Sequence, residues 1–125
     1  MRFGIMLSMP GTDATLDGHV KAGQLAERQG FASAWLPNVF ALDALTTLAI
    51  VGRETERIEL GTAVVPTYPR HPSALAQQAL TTQAAARGRL ALGIGLSHQV
   101  VIENMFGLDY SESATYAHVR PRSAA

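Results

Sequence analysis

Short apolar runs and longer amphipathic stretches alternate through the first hundred or so residues, with the apolar runs starting near positions 3, 33, 60 and 90. The run from Arg2 to Ser8, closed by Pro10-Gly11, reads as a buried strand and a turn. Asp13 or Thr15 can then cap a helix with Leu16, Val20, Gly23 and Ala26 on one face, and Gly30 stands where a helix C-terminal glycine belongs. Ser33 to Leu36 is the next strand, broken by Pro37. Asp43 can start a helix whose Leu45, Leu48, Ala49 and Gly52 recur at i, i+3, i+4 and i+7, which leaves Arg53, Glu54, Glu56 and Arg57 facing water. Leu60 to Val65 is a third strand, closed by Pro66. Pro72 follows His71 at a first helical position, Leu75, Ala79, Thr82 and Ala86 supply the inner stripe, and Gly88 ends the helix. Leu90 to Gly95 is the fourth strand, and Val100 to Met105 begin a further helix before Gly107.

Near-continuous apolar strands separated by single helices imply a parallel sheet covered by its crossover helices. Either a doubly wound sheet or a barrel satisfies this pattern. From Ser111 the periodicity stops, so residues 1–110 are expected to form one α/β domain and 111–125 a loose tail.

Composition narrows the function. With 47% hydrophobic and 16% charged residues, the 125-residue chain has the balance of a globular domain. Ten basic and ten acidic side chains cancel without forming a like-charge run, which argues against nucleic acid or a membrane as partner and for a small-molecule substrate. The lack of cysteine excludes thiolate chemistry, disulfides and Cys-ligated metals. His19, His71, His98 and His118 lack metal-ligand spacing, so no metal site is expected. The apolar run at the start is far too short for a signal peptide or a spanning helix, and a cytoplasmic location is expected.

Three segments together carry a resemblance: Trp35-Leu36-Pro37-Asn38-Val39-Phe40; Gly61-Thr62-Ala63-Val64-Val65-Pro66 with Arg70-His71-Pro72; and Gly88-Arg89-Leu90-Ala91-Leu92-Gly93-Ile94-Gly95. In order and spacing they resemble the luciferase-like monooxygenase superfamily, and within it the F420-dependent actinobacterial branch, over residues 1–110. The resemblance implies a (βα)8 TIM-type barrel with a deazaflavin (F420) or FMN ring at the C-terminal ends of its strands, where barrel active sites are built. A full barrel takes roughly 250 residues. The chain is therefore expected to be the N-terminal half, truncated after about four βα units and lacking the phosphate-binding loops that the family draws from its second half.

The resemblance also suggests cofactor contacts. The loop after the second strand often presents a polar or ionisable residue to the ring, and several F420 enzymes have an Asp-His pair there. Here the positions hold Asn38 and Val39, neither of which donates a proton at useful pKa, although Asn38 can hydrogen-bond the ring or simply serve the turn. Ala63-Val64 matches the family's non-prolyl cis peptide behind the ring; taken alone it is an ordinary strand pair. Gly93-x-Gly95 lacks the third glycine of a dinucleotide fingerprint. At a strand end Gly95 would instead let a ring approach the backbone, with Ser97 and His98 bonding its edge or a phosphate. His71 reads as a helix cap, and Arg70 as a solvated loop arginine or an attractor of anions. No catalytic residue is assigned.

The expected activity is hydride transfer between F420 and an organic substrate, or an FMN-dependent monooxygenation. The alternative is a non-catalytic half-barrel. Such a half-barrel would expose two sheet edges and the apolar sheet face of the barrel interior, so two copies are expected to close an eight-stranded homodimer.

Overall fold

A computed structural model of the chain describes residues 1–8 and 14–112. In order the elements are β1 (Gly4–Met6), α1 (Leu16–Arg28), β2 (Ser33–Leu36), α2 (Ala44–Arg53), β3 (Glu59–Thr62), β4 (Val65–Pro66), α3 (Pro72–Ala85), β5 (Leu90–Ala91), β6 (Ile94–Gly95), α4 (Gln99–Asn104) and a 3-10 turn, Tyr110–Glu112. Asp13 and nearly all of the expected tail lie outside the described residues. Strands β1, β2, β3 and β5 pair in that order, all parallel, while β4 and β6 form a separate parallel pair. Among the described residues, no helix is long and apolar enough to cross a membrane.

Local signals set the helix starts. The Thr15 hydroxyl accepts the Gly18 N–H at 3.0 Å, the Asp43 carboxylate accepts the Thr46 N–H at 2.8 Å, and His71 Nδ1 accepts the Ser73 N–H at 3.3 Å ahead of Pro72. Each satisfies a donor that the first helical turn leaves orphaned. Gly30 and Gly88 follow α1 and α3 at φ +84° and +83°, where any other residue would be strained.

The core lies between the sheet and its helices. Ala34, Leu36 and Leu60 project from the strands onto Ala26, Leu45, Leu48, Val51, Leu75 and Ala86. Of the expected stripes, Leu45, Leu48 and Gly52 on α2 and Leu75, Thr82 and Ala86 on or just after α3 are buried, whereas Ala49 and Ala79 are half-buried and α2 also buries Ala44, Thr47 and Val51. On α1 Gly18, His19, Gly23 and Ala26 are buried and Val20 packs half-buried against the core, while Leu16 is 37% exposed. The expected stripe holds from Val20 to Ala26, and a Cβ on Gly23 would lie 2.6 Å from Val51 Cγ1, so α1 packs against α2 where Gly23 lacks a side chain. Gly52 similarly lets α2 approach α3, since a Cβ there would lie 2.8 Å from Ala86 Cα.

Two charged side chains fasten the connections. Arg89, just before β5, donates to the carbonyls of Gly52, Thr55 and Ile58 at 2.7, 2.9 and 2.8 Å, and to the Thr55 hydroxyl at 3.1 Å. Glu27 of α1 accepts the backbone N–H groups of Glu56, Arg57 and Ile58 at 3.0, 2.6 and 2.9 Å. Burial pushes the Glu27 pKa up, but these N–H donors and the Arg57 charge outweigh it and hold the carboxyl below its ordinary 4.5. A depressed carboxyl stabilises the fold above the unfolded value, and that contribution is lost as pH falls through the folded value. The stability gap between wild type and Glu27→Gln is therefore expected to be full above pH 4.5 and to close below it, as followed by urea midpoints across the acid range. A gap independent of pH would refute this role.

The other sheet face carries Gly4, Ser33, Trp35 and Gly61. The indole N–H of Trp35, the single tryptophan, donates to Ser33 Oγ at 2.9 Å. Its ring lies where Cβ atoms on Gly4 and Gly61 would stand, so one aromatic spans three strands.

Candidate functional site

Both C-terminal strands differ from the expected continuous runs. Leu60–Val65 is divided into β3 and β4, and Leu90–Gly95 into β5 and β6, at the same level of the sheet. At the break the Thr62 hydroxyl substitutes for the ladder, donating to the Gly93 carbonyl at 2.8 Å and accepting the Gly93 N–H at 2.9 Å. One hydroxyl can do both because it is donor and acceptor together. The Ala63–Val64 peptide in this break is cis, as the resemblance implied. Val64 is left 44% exposed.

The break opens onto a cavity of about 760 Å³, within the range of roughly 300–1,000 Å³ usual for small-molecule sites. Its walls bring together Asn38, Ala63, Val64, Ser97 and His98, along with Phe40, Asp43, Arg70, Val101 and Phe106. Gly95 is not part of the wall: a Cβ there would lie 2.7 Å from Val64 Cγ2, so the space over this glycine is taken by the Val64 side chain. His71 is turned to Ser73 as the cap of α3.

Asn38 is held from three sides. Its backbone N–H donates to the Val64 carbonyl at 3.4 Å, and its Oδ1 accepts the Ala44 N–H at 2.9 Å and Arg70 Nη2 at 3.3 Å. Arg70 also donates to Gln78 Oε1 at 2.8 Å and forms an ion pair with Asp43. Burial raises the Asp43 pKa, but the Thr46 N–H, the Arg70 guanidinium and the Thr46 hydroxyl outweigh it, keeping the carboxyl below its ordinary value. Arg70 is thus neither a solvated loop arginine nor an unpaired cation: its side chain is 16% exposed and its charge is matched. Asp43 shows in the sequence as a helix cap, but nothing local predicts that Arg70, 27 positions on, completes the cluster.

On the opposite wall Ser97 sits at φ +65°, and its carbonyl accepts the Tyr110 hydroxyl at 3.2 Å. Tyr110 stacks on Tyr68 with ring centroids 5.3 Å apart, and the Tyr68 hydroxyl donates to the Tyr110 carbonyl at 2.9 Å. His98 stands at the N-cap of α4 but makes no side-chain cap bond, so its ring remains beside the cavity. Phe40, at φ +23° and 67% exposed, forms an apolar rim with Phe106.

The family described as luciferase-like monooxygenase matches residues 1–118. The chain belongs to this family. A relative from Mycobacterium tuberculosis, provisionally named a coenzyme F420-dependent oxidoreductase, is 35% identical over 86% of this chain and 30% of its own length. The F420-dependent glucose-6-phosphate dehydrogenase of Microbacterium testaceum is 34% identical over 90% of this chain and 36% of its own. Among solved structures, the coenzyme F420-dependent tetrahydromethanopterin reductase of Methanopyrus kandleri superposes with a TM-score of 0.75 at 26% identity, over 87% of this chain and 30% of that one. A type II Baeyer–Villiger monooxygenase from Pseudomonas putida, solved with FMN, shares the fold with a TM-score of 0.75 at 21% identity, over 89% of this chain and 34% of that one. This luciferase-like chain spans about a third of the length of the curated relatives it matches. Its described residues form four strand–helix units of the parallel barrel built by such enzymes.

Proposed function

We propose that this chain forms the ring-binding part of an F420-dependent oxidoreductase, with FMN, and a monooxygenase reaction, as the alternative. The observation that carries the reading is the gathering of Asn38, Ala63, Val64, Ser97 and His98 around one cavity at the strands' C-terminal ends. The wall fits a flat, largely apolar ring. Ala63 and the exposed Val64 offer a smooth apolar surface, Asn38 offers a polar edge contact, and Ser97 and His98 stand opposite for a second edge or a phosphate. When bound, the ring supplies the hydride or oxygen chemistry, and the protein supplies binding, orientation and exclusion of water. Neither Asn38 nor Val39 can deliver a proton, so this wall orients rather than protonates.

Trp35, the single tryptophan, lies two residues before Pro37 of the cavity wall, so its emission is the probe chosen for occupancy. Titration with F420 or FMN is expected to quench Trp35 emission and saturate, with the preferred ring giving the lower Kd. If neither ring quenches saturably, the reading is wrong.

A second reading, two copies closing an eight-stranded barrel, is supported by β1 and β5, each of which has a single strand neighbour among the described residues. Sedimentation showing a cooperatively unfolding monomer would exclude it.

A further inference from the structure

We infer that Arg70 is a positioning residue that locks the Asn38 amide in one orientation, so that the site recognises a hydrogen-bond acceptor, a carbonyl oxygen of the ring or substrate, at that point. The inference rests on the proposed function for the ligand's identity, and adds which edge chemistry the wall selects and which side chain enforces it.

Asn38 could in principle turn either end of its amide to the cavity, because the carbonyl and the amino group have nearly the same shape. Here the choice is decided by its neighbours. The Ala44 N–H and the Arg70 guanidinium can only donate, and both address the same atom, Oδ1, at 2.9 and 3.3 Å. A flipped amide would press its own N–H groups against both donors and leave the Ala44 N–H without its acceptor. Nδ2 is therefore the free end, and Asn38 lines the cavity.

Arg70 cannot drift out of this arrangement. Asp43 holds Nη2 from one side, and Gln78 holds Nη1 at 2.8 Å. Asp43 is itself fixed by the Thr46 N–H and hydroxyl at 2.8 and 2.7 Å as the cap of α2. The start of α2 and the loop before α3 thus set the direction of one amide at the second strand's end. Because Asp43 neutralises it, Arg70 serves this geometry and does not act as an unpaired anion receptor.

Asn38→Asp separates these roles. One carboxylate oxygen can still accept from Ala44 and Arg70, while the other replaces the amide donor with an acceptor facing the cavity. The unfolding midpoint is expected to hold, whereas affinity for F420 or FMN, whichever the wild type binds tighter, is expected to fall roughly 10- to 100-fold, as for a buried acceptor left unpaired. In wild type, infrared difference spectra of the isotope-labelled ring carbonyls are expected to show a band lowered by the Asn38 donor, and Asn38→Asp is expected to raise it. Arg70→Met is expected to broaden or split that band as the amide loses its lock, and Arg70→Lys to restore it partly. Unchanged affinity and carbonyl frequency in Asn38→Asp overturn the acceptor selection. An unchanged band in Arg70→Met overturns the positioning role, including where Asn38→Asp does not fold. Failure of the wild type to bind either ring overturns the proposed function and this inference together, whereas wild-type binding with silent variants overturns the inference alone.

Discussion

Arg89→Met is expected to destabilise the chain by about 3 kcal/mol, a large share of the roughly 5–15 kcal/mol that holds a domain folded. The guanidinium gathers three carbonyls and a hydroxyl from the end of α2 and the turn into β3, with bonds of 2.7 to 3.1 Å. The Gly52 carbonyl belongs to the last helical turn, which has no partner within the helix. Hydrogen bonds from a charged donor contribute about 1.5–3 kcal/mol each, and an orphaned buried acceptor costs about 1–3, but four contacts made by one side chain do not add. Burial lowers the Arg89 pKa, the Glu27 charge raises it in part, and a guanidinium nevertheless stays protonated. Methionine retains the stem's apolar packing while removing every donor. Arg89→Lys, a single point of charge without the planar fork, is expected to recover only part of the loss. Urea midpoints at constant m give the comparison, and a loss below about 1 kcal/mol for Arg89→Met would show that water replaces the cluster without penalty.

Gly93→Ala is expected to cost about 3 kcal/mol and to abolish ring binding as well, because the two depend on the same break in the sheet. A Cβ at this position would overlap the Thr62 carbonyl oxygen, which is backbone and cannot swing aside. Relief requires β5–β6 to move from β3–β4. That movement breaks the two bonds between the Thr62 hydroxyl and Gly93, and the Val65 N–H bond to the Gly93 carbonyl at 2.9 Å. Val64, the apolar wall of the cavity, lies between these bonds in the chain. Leu92→Ala, next door at a half-exposed side chain, is expected to leave both stability and binding close to wild type. A Gly93→Ala chain with wild-type urea midpoint and Trp35 quenching would mean that the break tolerates a side chain.

Helix boundaries were readable because a cap acts over two or three residues. Thr15, Asp43 and His71 stand immediately before the N–H groups they satisfy, and an apolar residue every third or fourth position announces the buried sides of α2 and α3. On α1 the expected inward face holds at Val20, Gly23 and Ala26 and fails only at Leu16, which the first turn leaves exposed while Gly18 and His19 are buried. The strand breaks are hidden for another reason: Leu60–Val65 and Leu90–Gly95 read as near-continuous apolar runs in which Thr62 is the one polar side chain, and its hydroxyl bonds a residue 31 positions away.

The same distinction runs through the site. Ala63 and Val64 are legible only through the family resemblance, since local sequence makes them an ordinary strand pair, whereas the strand breakers place Asn38, Ser97 and His98 just past strand ends, and strand ends in a parallel layer converge on one rim whatever the loops contain. Residue type along the chain is enough for that, because backbone geometry carries it. Why Arg70 carries no spare charge, how it joins the nearby Ala44 N–H in fixing the Asn38 amide, and why the space over Gly95 belongs to Val64 depend on partners 27 to 32 positions apart. Such pairings exist only after the parallel strands have brought successive units side by side, and a donor's choice between two acceptors is made at that distance, not along the sequence.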